Sequence, residues 1–343
     1  MTGRRTGGRI AAMPLVPPRI SRRHALRVLV AVLAVLGVLT WWLKPFGHPE
    51  LQGELTFSTG ARAGVYHRYG ELLEQALKRD MPGVDVRLET SEGSQENLKR
   101  LATGEADFTV ATADAVAKFQ LDQRTGADRL RGVARLYDDY VQLVVPADSP
   151  VQSARDLRGK RVAIGQPGSG VRLVSERLLR AAKIDPVLDM TSVSIGIDSM
   201  PSELEAGRID AFFWSGGLPT NAVRELSERF DIRLVQLGDL VEQLQESGSP
   251  ARYYRTAVMP QDTYARARNT SAVSTLAVPN LLVTMAGTDP QLTEQLTRTV
   301  ILSRDRVGRQ VHAAQLVDLR TAIYTDPVDL HEGARRYYRS VKP

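Results

Sequence analysis

The sequence predicts an α/β protein made of two similar units that face one another across a cleft. Two observations predict it. Strand-like and helix-like stretches alternate in two separate series, the pattern of parallel strands joined by crossover helices. A distinctive punctuation also occurs once in each series. Asn97 to Thr103 reads as a helix and runs into Gly104-Glu-Ala-Asp107, then the apolar Phe108 to Asp114. Pro201 to Ala206 likewise runs into Gly207-Arg-Ile-Asp210, then Ala211 to Trp214, and drops at once into Ser215-Gly-Gly217. Each time a helix stops at a glycine, an acid follows three positions later, and a short buried strand ends in small or polar residues.

The elements follow in order. Glu54 to Ser58 is a short strand, and Val65, Tyr69, Leu72, Leu73, Ala76 and Leu77 fall at helical spacing before Pro82-Gly83. Val84 to Glu89 alternates as a strand, Ser94 to Thr103 is the next helix, and the third strand ends at Asp114. The second series begins after Pro146: a strand at 161–165, a helix at 170–183, a strand at 193–195, a helix near Pro201, then the strand through Trp214. The tail is helical from Pro290 to about Asp305 and again across the 310s. Tyr140 to Val145 and Ala277 to Thr284 are the two segments expected to cross between units, which divides the body into 53–143 and 278–343 for the first lobe and 144–277 for the second.

The N-terminus differs from this body. Residues 1–27 carry seven arginines (4, 5, 9, 19, 22, 23, 27) and no acid. Taking these seven from the 45 Lys and Arg leaves 38 against 39 Asp and Glu, so the body is near neutral and is not a nucleic-acid binder. Val28 to Leu43 is an uncharged run closing on Trp41-Trp42, and the whole reads as a basic cytoplasmic tail (1–27), a transmembrane anchor or signal segment (28–43) and a linker (44–52). Ser21-Arg22-Arg23-His24-Ala25-Leu26-Arg27 resembles a twin-arginine export signal, and no small-x-small cleavage site follows Leu43. The body is thus expected outside the cytoplasm, anchored to the plasma membrane or secreted if the segment is cleaved.

Three loops carry candidate chemistry. Ser58-Thr-Gly-Ala-Arg-Ala-Gly-Val-Tyr66, Glu92-Gly-Ser-Gln-Glu-Asn97 and Gly165-Gln-Pro-Gly-Ser-Gly170 each stand before a helix. Glycines there let backbone N–H groups point outward, and a helix N-terminus adds partial positive charge, which suits an anion. None is a nucleotide-binding GxGxxG or GxxxxGK motif. With no Cys there are no disulfides, thiol nucleophiles or Cys-bound metals, and the five histidines have no metal spacing. Ser169 lies outside a GxSxG elbow. Asp138-Asp139 reads as a solvated pair and Arg335 to Arg339 as a solvated terminal helix. No catalytic residue, metal or cofactor is expected, and the protein is read as not an enzyme.

Together these residues resemble the TAXI family of solute-binding receptors, which serve tripartite ATP-independent periplasmic (TRAP) transporters. The resemblance is carried by Ser58-Thr-Gly60 with Gly64-Val-Tyr66, Glu92 to Leu98 with Gly104-Glu-Ala-Asp107, Gly168-Ser-Gly170, Gly207-Arg-Ile-Asp210 through Gly216-Gly-Leu-Pro219, Val278 to Thr284 and Leu330 to Tyr338. It spans roughly 53–340. It implies a two-lobed periplasmic-binding-protein (type II-like) fold closing on a small anion, such as a glutamate- or glutamine-like amino acid or carboxylate, which is then delivered to a multispanning TRAP-type permease. The first loop departs from the family: Ala61-Arg62-Ala63 stands where glycine is usual, and His67 near the place of a second Tyr.

The expected ligand-binding residues are Thr59, Gly60, Arg62, Tyr66, Gly93, Ser94, Asp114, Gly168, Ser169, Gly170, Trp214 and Gly216. Tyr66 and Trp214 are the walls, Asp114 is the acid that meets an ammonium, and Arg62 either pairs with a carboxylate or points to solvent. A membrane-anchored ligand sensor on the same fold is the alternative function.

Overall fold

The computed structural model describes residues 22–42 and 51–342. Most of the basic tail, Ser21 of the export-signal resemblance and most of the linker lie outside the described residues. The chain divides into two units, 1–50 and 51–343. The first contains one described helix, α1 (Arg22–Trp42), whose side chains at Leu29, Val32, Leu33 and Val35 are exposed. Among the described residues, no helix is long and apolar enough to cross a membrane.

The second unit opens with β1 (Gly53–Ser58), α2 (Val65–Asp80), β2 (Val84–Glu89), α3 (Ser94–Thr103), β3 (Phe108–Thr112) and α4 (Ala113–Leu121). β2 and α3 have the bounds that their sequence patterns predict. α3 stops at Gly104, which adopts a left-handed conformation (φ 78°) and donates its N–H to the carbonyls of Arg100 and Leu101; a side chain there would be strained. The third strand is shorter than expected. It ends at Thr112, and Asp114 belongs to the first turn of α4.

β4 (Leu130–Pro146) then runs for 17 residues, followed by β5 (Arg161–Ala163), α5 (Gly170–Ala181), β6 (Thr191–Val193), α6 (Met200–Glu205), β7 (Ala211–Gly216), α7 (Asn221–Arg229), β8 (Ile232–Val235), α8 (Val241–Gln245) and β9 (Arg255–Met259). β10 (Val273–Met285) is the second long strand, and α9 (Pro290–Gly308), α10 (Leu319–Ala322) and α11 (Glu332–Val341) close the chain. α9 begins as its sequence suggests: Asp289 accepts from the N–H groups of Gln291 and Leu292, and Pro290 takes the first helical position.

The described strands form one mixed sheet in the order β2-β1-β3-β10-β4-β7-β5-β6, with β8 beside β4 and β9 beside β10. The two series are parallel within themselves, β1 with β2 and β3, and β5 with β6 and β7. The join between them is antiparallel, because β10 lies against β3 and β4, and β4 against β7. A wholly parallel reading misses this. The length of β4 and β10 is the reason: each is long enough to serve both halves. The first half of β10 pairs with β9 and its second half with β3. One apolar core draws only on residues between Val141 and Val278. The other clusters draw on residues from Leu55 to Tyr137 and Leu281 to Tyr338, joined by Leu173. The result is an α/β two-lobed periplasmic-binding-protein fold with β4 and β10 as the shared strands.

Candidate functional site

Between the lobes lies a cavity of about 60 Å³. One side is built by the β1–α2 loop and the start of α2 (Gly60, Gly64, Tyr66) and by Gly93 and Ser94 at the start of α3. The other side is built by Ser169, Gly170 and Val171 at the start of α5, and by Trp214, Ser215 and Gly216 of β7. Three helix N-termini therefore meet in one place. α2 and α3 have glycine caps, Gly64 and Gly93, and neither has a side-chain cap hydrogen bond. Their first-turn N–H groups need other partners, and each end carries partial positive charge. In α5 the Ser169 hydroxyl accepts from Arg172 N–H.

The lobes are closed on each other around this cavity. Asp198, ahead of α6, accepts from the Ala63 N–H at 2.9 Å. Glu96 N–H donates to Gly168 C=O at 3.0 Å, and the Gln95 amide donates to Ser169 C=O at 2.7 Å. Gly93 lies at this seam with φ 127°, and a Cβ there would stand 3.5 Å from Gly170 N. Only glycine takes that backbone without strain.

Asp139 forms the floor. It is buried, and its Oδ1 accepts from the Asn280 amide at 2.7 Å. The Tyr66 hydroxyl donates to Asn280 Oδ1, and stands 3.5 Å from Asp139 Oδ2 and 3.3 Å from Ser94 Oγ. Tyr66 has one proton and the Asn280 carbonyl takes it, so Asp139 Oδ2 keeps spare acceptor capacity. Burial pushes the Asp139 carboxyl up to about 7, against the lowering effect of the Asn280 amide and of the neighbouring Tyr66 hydroxyl. Burial likewise drives the Tyr66 phenol well above its ordinary range, and the nearby Asp139 adds to this. The expectation that Asp138-Asp139 is a solvated pair is overturned. The two do point apart, as strand neighbours must, but both are buried. Asp138 pairs with Arg135 and Arg255, while Asp139 faces the cavity.

The strand that ends in Trp-Ser-Gly-Gly supplies the opposite wall. Trp214 is held by its indole N–H, which donates to Thr220 Oγ1 at 3.0 Å. The ring leaves no room beside it for a side chain at Gly216, where a Cβ would come within 2.6 Å of Trp214 Nε1. Glycine follows tryptophan here because the indole occupies that space.

The structure thus brings Gly60, Tyr66, Gly93, Ser94, Ser169, Gly170, Trp214 and Gly216 to one cavity. The other four expected residues stand apart. Thr59 is buried beneath the loop, its hydroxyl donating to Glu89 C=O. Gly168 turns its carbonyl to α3. Arg62 is exposed outside the cavity, so of its two readings the one toward solvent holds in this form. Asp114 is the largest correction. From the first turn of α4 it accepts from the Tyr254 hydroxyl at 2.6 Å and Arg177 at 3.1 Å, which leaves it buried and already neutralised. Sequence reasoning missed Asp139, Ser215 and Asn280. A signal existed for Asp139, since it immediately precedes the expected crossing segment at Tyr140, where a cleft has its floor.

The mouth is acidic. Glu92 lines the cavity, and burial followed by repulsion from Glu96 and Asp198 raises its carboxyl above the ordinary value. Among the described lining residues are two carboxylates, Asp139 and Glu92, and no Lys, Arg or His.

A protein of Bordetella bronchiseptica RB50 has the same architecture: TM-score 0.50 at 16% identity, covering 85% of this chain and 90% of that one. A putative L-cystine ABC transporter protein from Listeria monocytogenes is similar at TM-score 0.49 and 14% identity, over 78% of this chain and 99% of that one. The periplasmic aliphatic sulphonate binding protein SsuA from Escherichia coli gives TM-score 0.44 and 16% identity, over 85% and 84%. At 16% identity the first of these likenesses speaks for the fold alone. A family description matches residues 57–341, nearly the whole second unit. The chain belongs to the NMT1-like family.

Proposed function

We propose that this protein is an extracytoplasmic solute-binding receptor, and not an enzyme, that captures a small organic anion between its lobes and delivers it to a multispanning TRAP-type permease. The TAXI resemblance supplies the transporter class. The observation that carries the receptor reading is the meeting of three helix N-termini, two of them capped only by glycine, at one closed interlobe cavity. Backbone dipoles take the place of a basic side chain for the ligand's carboxylate. Asp139 takes the role first given to Asp114. Buried and without a cation of its own, it is the partner for an ammonium, which favours a glutamate- or glutamine-like amino acid over a plain dicarboxylate. The lobe limits are proposed at 143/144 and 277/278, within β4 and β10, so that bending of two strands opens the cleft. Anchoring by 28–43 rests on the sequence alone, since among the described residues no helix is long and apolar enough to cross a membrane.

Calorimetry with L-glutamate, L-glutamine, 2-oxoglutarate and succinate tests this reading. Binding of at least one acid, weakened by substitution at Gly93 and Gly170, is expected. Tight binding only of neutral or cationic solutes, indifferent to both substitutions, would remove the site from these loops. Cell fractionation tests the location: full-length protein in the soluble cytosol defeats export.

A further inference from the structure

Among the described residues, three buried side-chain polar atoms lack a hydrogen-bond partner: Tyr137 Oη, Gln142 Nε2 and Ser215 Oγ. Of these residues, only Ser215 lines the interlobe cavity. It is 8% exposed and lies on the last turn-ward stretch of β7, between Trp214 and Gly216. Its neighbours explain why the protein gives it nothing. Its partner across the sheet is Val141, an apolar residue whose side chain can offer it no hydrogen bond. A buried hydroxyl without a partner is destabilising, and such groups are rare in folded proteins. A serine kept here is explained by a partner that arrives with the solute.

We propose that Ser215 Oγ is a specificity-determining donor to the solute, which presents an acceptor oxygen, a carboxylate or carbonyl, to the wall formed by β7 and the start of α5. The inference rests on the receptor reading above. Two features fix the polarity. The first turn of α5 at Gly170 and Val171 shares this wall and favours negative charge. The carboxylate that would instead attract a donor, Asp139, is on the floor. The hydroxyl therefore complements an oxygen anion, and the two lobes divide the solute between them: the acceptor end on the second lobe, the cationic end against Asp139.

The test is Ser215→Ala, made in the full chain and measured in two ways. Without ligand, removing an unpartnered buried hydroxyl is expected to leave the unfolding midpoint unchanged or to raise it. With L-glutamate, L-glutamine or succinate, whichever bind the wild type, affinity is expected to fall about 5- to 30-fold. 1,4-Diaminobutane, which has no acceptor oxygen, is expected to be indifferent to the change. Loss of stability without ligand would mean that the hydroxyl is held by the fold, and overturns the inference. So does unchanged affinity for a probe that binds the wild type, or a loss confined to the diamine; either leaves the receptor reading in place. Failure of L-glutamate, L-glutamine, 2-oxoglutarate and succinate alike to bind the wild type removes the receptor reading and this inference with it.

Discussion

Asp114 and Asp139 are both buried aspartates of the first lobe, and the fold treats them in opposite ways. Asp114 has an arginine and a tyrosine hydroxyl on the same carboxylate oxygen, and the Arg177 guanidinium stacks 5.7 Å from the centre of the Tyr254 ring. Both partners come from the far lobe's stretch of chain, so this cluster ties α4 to α5 and to the segment before β9. Asp139 has an amide and a distant phenol, and no cation. A charge taken out of water needs compensation. Where the protein supplies it, the carboxylate is structural. Where the protein withholds it, as at Asp139, the carboxylate faces a cavity with acceptor capacity to spare. Charge type alone does not separate the two; the presence of a paired arginine does.

The largest expected effect breaks the satisfied member. Arg177→Ala leaves Asp114 buried and uncompensated, which costs about 3–5 kcal/mol of stability. Urea unfolding reads this directly, and a loss under about 1 kcal/mol, the scale of an exposed pair, would mean that Asp114 is hydrated in solution.

Next is Asp139→Asn. If the solute carries an ammonium, removing its partner weakens binding by about 2–5 kcal/mol, thirtyfold or more. The same substitution should not weaken a plain dicarboxylate. An equal loss for both ligand types would return Asp139 to a structural role.

The third prediction concerns pH. Asp139 keeps its proton in the folded protein up to about 7, whereas the unfolded chain releases it near 3.8. Between these values the folded state binds more protons, so wild-type stability falls as pH rises through the window and levels off above about 7. Asp139→Asn lacks that decline: it should be the more stable protein at pH 8 and little different at pH 4. Binding of an ammonium requires the ionised carboxylate, so affinity should rise up to about tenfold per pH unit below 7 and then level off. A plain dicarboxylate, which prefers the protonated form, should bind evenly below about 7 and more weakly above it. A flat profile with both ligands breaks the comparison.

The smallest effect is at Arg62. Its guanidinium stands outside the cavity, so Arg62→Ala should change affinity less than about twofold, within the few tenths of a kcal/mol expected of a surface substitution. A thirtyfold loss by calorimetry would show that the loop turns inward when solute binds.

Some elements could be read locally. Val84 to Glu89 alternates and is a strand with those ends, Ser94 to Thr103 is a helix stopped by Gly104, and the helix at Pro290 begins at its proline. Alternation, capping and a glycine with positive φ act within a few residues, so the chain carries their record. The three helix-start loops were legible for the same reason, and the structure sets Tyr66 and Trp214 beside the cavity. The sheet was not. β4 and β10 are long and apolar, and nothing in either says that they lie antiparallel at the centre of an otherwise parallel pattern.

By itself, the sequence determined the alternating elements, the glycine-opened helix starts and the polarity of the loops, since each depends on neighbours along the chain. Only the tertiary structure decided which aspartate would be neutralised. Arg177 and Tyr254 lie 63 and 140 residues from Asp114, and Asn280 lies 141 from Asp139. Burial and pairing across such separations are set when the lobes pack. Two aspartates that look alike in sequence therefore end up one paired with an arginine and one without a cation beside a cavity.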